Sequence, residues 1–80
     1  MRLDKFLKVS RIIKRRTIAN EACDQGRVSL NGKVARASAD VKAGDLLEIQ
    51  FGNKVFKAEI LNVVEVVKKD DASTLYKTIE

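Results

Sequence analysis

Histidine, proline and tryptophan are absent from this chain of 80 residues, and cysteine occurs once, as Cys23. Without histidine there is no Ser/His or Cys/His catalytic pair and no histidine-containing metal site. A single cysteine excludes an internal disulfide and a cysteine-cluster metal site. The sequence therefore predicts no metal and no cofactor. Cys23 lies on the apolar side of a predicted helix, and we interpret it as a core residue.

Long apolar runs are also missing, because charged residues interrupt the N-terminus at Arg2, Asp4, Lys5 and Lys8. This pattern is unlike a signal peptide or a membrane span, so we expect a cytosolic protein. A chain this short has little room for a deep substrate cleft, and its carboxylates are scattered. We therefore expect that it is not an enzyme.

The positive charge is concentrated in the first quarter of the chain. Residues 1–20 hold seven basic residues and one acidic residue, whereas residues 21–80 hold nine basic and ten acidic residues. A localised basic patch attracts a polyanion, which is RNA, DNA or an anionic membrane surface. The apolar residues Leu3, Phe6 and Leu7 are needed for the small core, which leaves little apolar face for lipid. Competition with poly-dI-dC separates an RNA-binding protein from a DNA-binding one.

The order of secondary structure elements predicts an α+β domain. Apolar spacing indicates helices at residues 2–9 and about 17–25, with Thr17 as the N-cap and Gly26 as the stop. Asn31-Gly32 predicts a hairpin with a type I′ turn. Alternating residues predict strands near 47–51 and 56–60, and β-branched residues predict a last strand at 63–67. The three phenylalanines are expected in core positions.

The predicted fold therefore has two N-terminal helices packed on one side of a small antiparallel sheet of four or five strands. Residues 1–67 are assigned to this domain. Residues 68–80 are assigned to a short C-terminal helix or a tail, and their spacing leaves both alternatives open.

Four segments together resemble the S-four RNA-binding domain, also called the αL motif. They are RLDKFL at residues 2–7, RRT at 15–17, GRVSLNG at 26–32 and VKAGD at 41–45. The RLDKFL start resembles the stand-alone members, namely the RqcP group and the related fifteen-kilodalton heat-shock proteins. The short length is more similar to the RqcP group, because the heat-shock relatives carry a long basic C-terminal extension.

The resemblance implies a monomeric bacterial protein that binds large ribosomal subunits still obstructed by peptidyl-tRNA, through both rRNA and tRNA. It also implies support for the RqcH elongation factor, which adds C-terminal alanine tails to stalled nascent chains. Direct contact with RqcH is left open. The alternatives are a heat-shock-type factor that recycles stalled subunits without tailing, and a general module that binds structured RNA.

The same resemblance implies an RNA surface made of the first helix, the start of the second helix and the hairpin. Asp4 is interpreted as structural, either as a helix-start carboxylate or as an orienting partner of Lys8 or a nearby arginine. Arg15 departs from the family pattern, which commonly has a small hydroxyl residue there. Five phosphate contacts predict a log–log salt slope of roughly −3.5 to −4.5. The candidate RNA-binding residues are Arg2, Lys5, Lys8, Arg11, Lys14, Arg15, Arg16, Thr17, Asn31 and Lys33.

Overall fold

Two short helices lead into a five-stranded antiparallel sheet in the computed structural model, which describes residues 1–79. The strands lie in the order β2-β1-β3-β4-β5. The predicted α+β architecture is therefore confirmed. In chain order the elements are α1 (Leu3–Val9), α2 (Arg16–Asp24), β1 (Val28–Leu30), β2 (Lys33–Val34), β3 (Leu46–Phe51), β4 (Lys54–Ile60), a 3-10 helix (Lys69–Leu75) and β5 (Tyr76–Thr78).

The helices cover one face of the sheet because both carry apolar residues at helical spacing. Leu3, Phe6 and Leu7 of α1 are fully buried, and they pack in one core with Ala19 and Cys23 of α2. The first turn of α1 is tied to the loop that follows β2 by two backbone hydrogen bonds. None of the helices in residues 1–79 is long and apolar enough to cross a membrane.

The second helix begins one residue earlier than predicted, at Arg16. Arg15 occupies the N-cap position with an extended backbone, and its side chain makes no capping hydrogen bond. Thr17 lies inside the first turn, so its prediction as the N-cap was wrong. Arg16 is the first residue of α2 and its side chain pairs with Asp4 of α1, a tertiary contact that the local capping pattern does not include.

The sheet presents alternate residues to the helices. Leu47 and Ile49 of β3 are buried, and they lie opposite Ala58 and Phe56 of β4. The expectation that all three phenylalanines are core residues was wrong. Phe56 is half-buried and Phe51 is exposed, because Phe51 lies at the end of β3, beyond the cover of the helices.

The predicted hairpin forms at Asn31-Gly32. Both residues have positive φ angles, 53° and 84°, and Leu30 pairs with Lys33 across the turn. These values are those of a type I′ turn, whose twist matches that of the flanking strands.

The valine-rich segment, residues 63–67, is not a strand, although its β-branched residues predicted one. The edge of β4 that it would pair with is occupied by β5, whose Tyr76 lies opposite Ile60. Val63, Val64 and Val67 instead pack against the core from outside the sheet. β-propensity reflects the fit of a side chain to a half-buried sheet surface, and that surface has no room for a further strand here.

The end of the chain is a 3-10 helix followed by β5. The prediction of a helix through Leu75, Tyr76 and Ile79 from their spacing was wrong, because the 3-10 helix spans Lys69–Leu75 and Tyr76–Thr78 pair with β4 as a strand. Ala72 and Leu75 are buried, and Leu75 belongs to the same core as α1. The division into residues 1–67 and 68–80 stays a prediction, and residue 80 lies outside the described residues. The packing of Leu75 favours a single folding unit.

Candidate RNA-binding surface

Asp4 is the centre of a polar network that joins α1 to α2. Its side chain is only 3% exposed. One carboxylate oxygen accepts hydrogen bonds from the backbone N–H of Lys5 (2.8 Å) and from Nε of Arg2 (3.2 Å). The other oxygen accepts from Nδ2 of Asn20 at 3.3 Å and lies 3.4 Å from Nε of Arg16. One buried acid therefore holds two guanidinium groups from different elements.

The network keeps Asp4 ionised. Burial by itself raises the pKa of Asp4, but the hydrogen bonds from Asn20, Arg16 and Arg2 outweigh it and hold this pKa below its usual value. Two guanidinium charges against one carboxylate leave one positive charge in excess. The side chains of Arg2 and Arg16 remain 52% and 46% exposed, so both are accessible to a ligand. Asp4 thus acts as the orienting partner of two arginines, and not of Lys8.

A second group of candidates lies at the C-terminal end of α1. Lys8, Arg11 and Lys14 line one groove of about 270 Å³, whose opposite wall is the valine-rich segment. Arg11 has a φ angle of 62°, which is the left-handed conformation that favours glycine. A non-glycine residue in this conformation costs roughly 1–2 kcal/mol. The chain thus keeps a cation here at a cost in stability.

Lys5 is paired with an acidic residue of the valine-rich segment, whereas Arg2 and Arg16 are paired with Asp4. The ammonium group of Lys5 donates to the carboxylate of Glu65, which lies in the valine-rich segment. This hydrogen bond, together with the positive charge of Lys5, holds the pKa of Glu65 below its usual value. In the free protein Lys5 is therefore partly neutralised.

The remaining candidates do not belong to these two groups. Arg15 and Thr17 are exposed beside Arg16 at the start of α2. Asn31 uses its side chain internally, donating to Asp45 and accepting from the backbone N–H of Leu46 in β3. Lys33 lies on the hairpin and lines a separate groove of about 530 Å³ between the hairpin and the loop that follows it.

Sequence reasoning missed three residues of this surface. Asn20 lies one turn after Arg16 on α2, and this i,i+4 spacing was a usable signal. Arg36 lines the separate groove at the hairpin, together with Lys33. Neither Arg36 nor Glu65 carried a local signal, because only the tertiary fold brings Arg36 to this groove and Glu65 to Lys5 of α1.

The chain is similar to a known family and to named bacterial proteins. Residues 1–47 match the family model of the S4 domain, which is the S-four domain named above. A protein of Halalkalibacterium halodurans named RQC P-site tRNA stabilizing factor is 62% identical over 77 residues, covering 96% of this chain and 88% of that protein. A Bacillus subtilis protein of the same name is 51% identical over 80 residues, covering 100% of this chain and 93% of that protein.

A solved structure has the same fold. Heat shock protein 15 of Vibrio cholerae, described as trimeric, matches with a TM-score of 0.90 at 28% identity. The match covers 99% of this chain and 81% of that chain.

Proposed function

The chain belongs to the S4 domain family and, within it, to the group of RQC P-site tRNA stabilizing factors, and we propose that it is a cytoplasmic RNA-binding factor of bacterial ribosome quality control. It binds large ribosomal subunits obstructed by peptidyl-tRNA and contacts rRNA and tRNA together. We propose that its action is binding, and the carboxylate that is buried within residues 1–79, that of Asp4, supports this role by holding two arginines.

The observation that carries this proposal is the pair of guanidinium groups held by Asp4. A guanidinium group offers a planar fork of donors that matches phosphate geometry and also stacks on bases. Asp4 reduces the conformational freedom of Arg2 and Arg16 before RNA arrives. Less side-chain entropy is therefore lost on binding than with free surface arginines.

The surface has two ends, which suits simultaneous contact with two RNA molecules. Arg2 and Arg16 lie at the N-terminal end of α1, and Arg11 follows its C-terminal end. A helix of seven residues spans roughly 10 Å. When both RNAs are present, contact with one raises the effective concentration of the protein near the other. The complex of subunit and tRNA is thereby favoured over either RNA alone.

The finer proposal is that this binding holds the tRNA in one position while RqcH adds alanine residues to the nascent chain, with the factor acting as a monomer. The second candidate is a recycling factor for stalled subunits without tailing, and the likeness to heat shock protein 15 supports it. Reconstituted tail synthesis with RqcH separates the two. The quality-control proposal requires faster tailing when the protein is added, and the recycling proposal requires no change.

Co-sedimentation tests the binding proposal directly. The protein is mixed with large subunits bearing peptidyl-tRNA, with empty large subunits and with small subunits, at two salt concentrations. We expect preference for the first, lost in Arg16→Ala and kept in Arg27→Ala, which removes the same charge beyond the far end of α2. Circular dichroism checks that both variants are folded. Equal binding to all three particles, or no effect of Arg16→Ala, would refute the proposal.

A further inference from the structure

We propose that the groove between the C-terminal end of α1 and the valine-rich segment is a binding site for a single unstacked RNA nucleotide. Its phosphate contacts the basic wall and its base covers Val66. This inference rests on the proposed RNA-binding function. The inference adds a contact by the valine-rich segment, which lies outside residues 1–47, the region that matches the S4 domain model.

The basic wall carries the cations Lys8, Arg11 and Lys14, and Val9 of α1 also lines the groove. The chain turns sharply after α1, where the backbone N–H of Arg11 donates to Lys8 and that of Ile13 donates to Leu7. This turn brings cations from the helix and from the following loop to one groove. Three cations along one wall provide the field that a phosphate requires.

The opposite wall is apolar and unusually exposed. Val66 is 87% exposed, the largest fraction among the exposed large apolar residues of the described chain. Its neighbours Val64 and Val67 pack inward against the core, and this anchors the segment while Val66 faces solvent. The flat face of a nucleobase would cover this side chain and remove it from water.

The acidic residue that lines the groove is already compensated. It is Glu65, whose carboxylate accepts a hydrogen bond from Lys5. The pair offsets the charge of Glu65 and ties the valine-rich segment to α1. An anion that enters the groove therefore meets one neutralised acid and three cations that form no ion pair with any other residue in 1–79.

The size and chemistry of the groove favour one nucleotide over other anionic ligands. Its volume of about 270 Å³ lies below the roughly 300–1,000 Å³ of pockets that enclose a whole small molecule. One base fits inside with its phosphate at the rim. An unstacked nucleotide offers both a phosphate for the cations and a base for the exposed apolar side chain. A stacked duplex presents mainly phosphate and sugar.

The test compares two RNAs with equal numbers of phosphates, a stem-loop with an unpaired loop and a blunt duplex. Binding of each is measured by fluorescence anisotropy over a salt series. The variant is Val66→Ser, and the matched control is Val55→Ser, which changes an exposed valine on the outer face of β4. Loss of one covered valine is expected to weaken stem-loop binding roughly fivefold to tenfold.

Val66→Ser should leave the salt slope and duplex binding unchanged, since it removes no charge. Lys14→Gln should instead lower the slope by about 0.7–0.9. In the wild type, the methyl resonances of Val66 should show ring-current shifts on titration with the stem-loop, and those of Val55 should not. Wild-type binding by Val66→Ser, or equal losses on both RNAs, would overturn the groove proposal. The proposed function is judged separately by Arg16→Ala on ribosomal subunits.

Discussion

Replacing Asp4 with asparagine separates the effect of oriented arginines from the effect of total charge. The substitution nearly preserves the shape of the side chain and raises the net charge from +5 by one unit. If charge alone governed RNA binding, Asp4→Asn would bind more tightly and with a steeper salt slope. If Asp4 acts by holding Arg2 and Arg16, the variant must bind more weakly despite its extra positive charge.

The expected loss of stability follows from the contacts of Asp4. The amide oxygen of asparagine still accepts from the backbone N–H of Lys5, but its NH₂ group replaces the oxygen that faces Nδ2 of Asn20 and Nε of Arg16. A hydrogen bond to a charged group contributes about 1.5–3 kcal/mol when buried. Both arginines are about half exposed, so solvent screening reduces their share. We expect a loss of about 2 kcal/mol, which lowers Tm by roughly 8–16 °C in a domain of this size.

The pH dependence gives a second check of the same contacts. The hydrogen bonds to Asp4 hold its pKa in the folded state below the ordinary value of an aspartate. The stability that Asp4 contributes is therefore complete above about pH 5 and is lost as the pH falls through the folded-state pKa. The difference in free energy of unfolding between wild type and Asp4→Asn must therefore shrink as the pH falls from about 5 through the folded-state pKa of Asp4.

Chemical denaturation followed by circular dichroism measures stability, and co-sedimentation with large subunits bearing peptidyl-tRNA measures binding. Asp24→Asn is the matched control, since it makes the same charge change at the last residue of α2. A folded Asp4→Asn protein that binds as tightly as Asp24→Asn would refute the orientation argument. A stability difference that persists unchanged at about pH 2 would refute the assigned role of the carboxylate charge.

Three further predictions concern other residues. Arg11→Gly relieves the left-handed backbone and should be up to about 1 kcal/mol more stable in urea unfolding, while binding RNA more weakly. A loss of stability would show that the φ angle is unstrained. Glu65→Gln removes the charge that pairs with Lys5, so it should tighten subunit binding and steepen the salt slope by up to about 0.7–0.9. The control Glu59→Gln on β4 should change neither the binding nor the slope. Equal effects of the two changes would point to net charge alone. Burial raises the pKa of Cys23 to about 11, so iodoacetamide at about pH 8 should alkylate the folded protein slowly and the unfolded protein quickly. Fast alkylation of folded protein would contradict the packing of α2.

Features that depend on neighbours in the sequence were predictable. The apolar spacing of Leu3, Phe6 and Leu7 located α1, and Asn31-Gly32 located the hairpin because a type I′ turn needs two positive φ angles. The concentration of positive charge in the first twenty residues predicted a polyanion as the ligand, and the resemblance to the S-four domain supplied the individual candidate residues, whose role stays a prediction.

Features that depend on tertiary contacts were not predictable. The valines of residues 63–67 predicted a strand, but the edge of β4 is occupied by a strand from much later in the chain. The Lys5–Glu65 pair joins residues 60 positions apart. That Asp4 holds both Arg2 and Arg16 depends on the packing of α1 against α2, which no local pattern encodes.

Arg2 and Arg16, both held by Asp4, are proposed to bind one phosphate each. The most direct test is the salt dependence of binding to large subunits bearing peptidyl-tRNA, for wild type, Arg2→Gln/Arg16→Gln and Arg27→Gln. Each lost phosphate contact lowers the log–log slope by about 0.7–0.9, so the double variant should lose roughly 1.4–1.8 and Arg27→Gln almost nothing. An unchanged slope and affinity in a folded double variant would contradict the account.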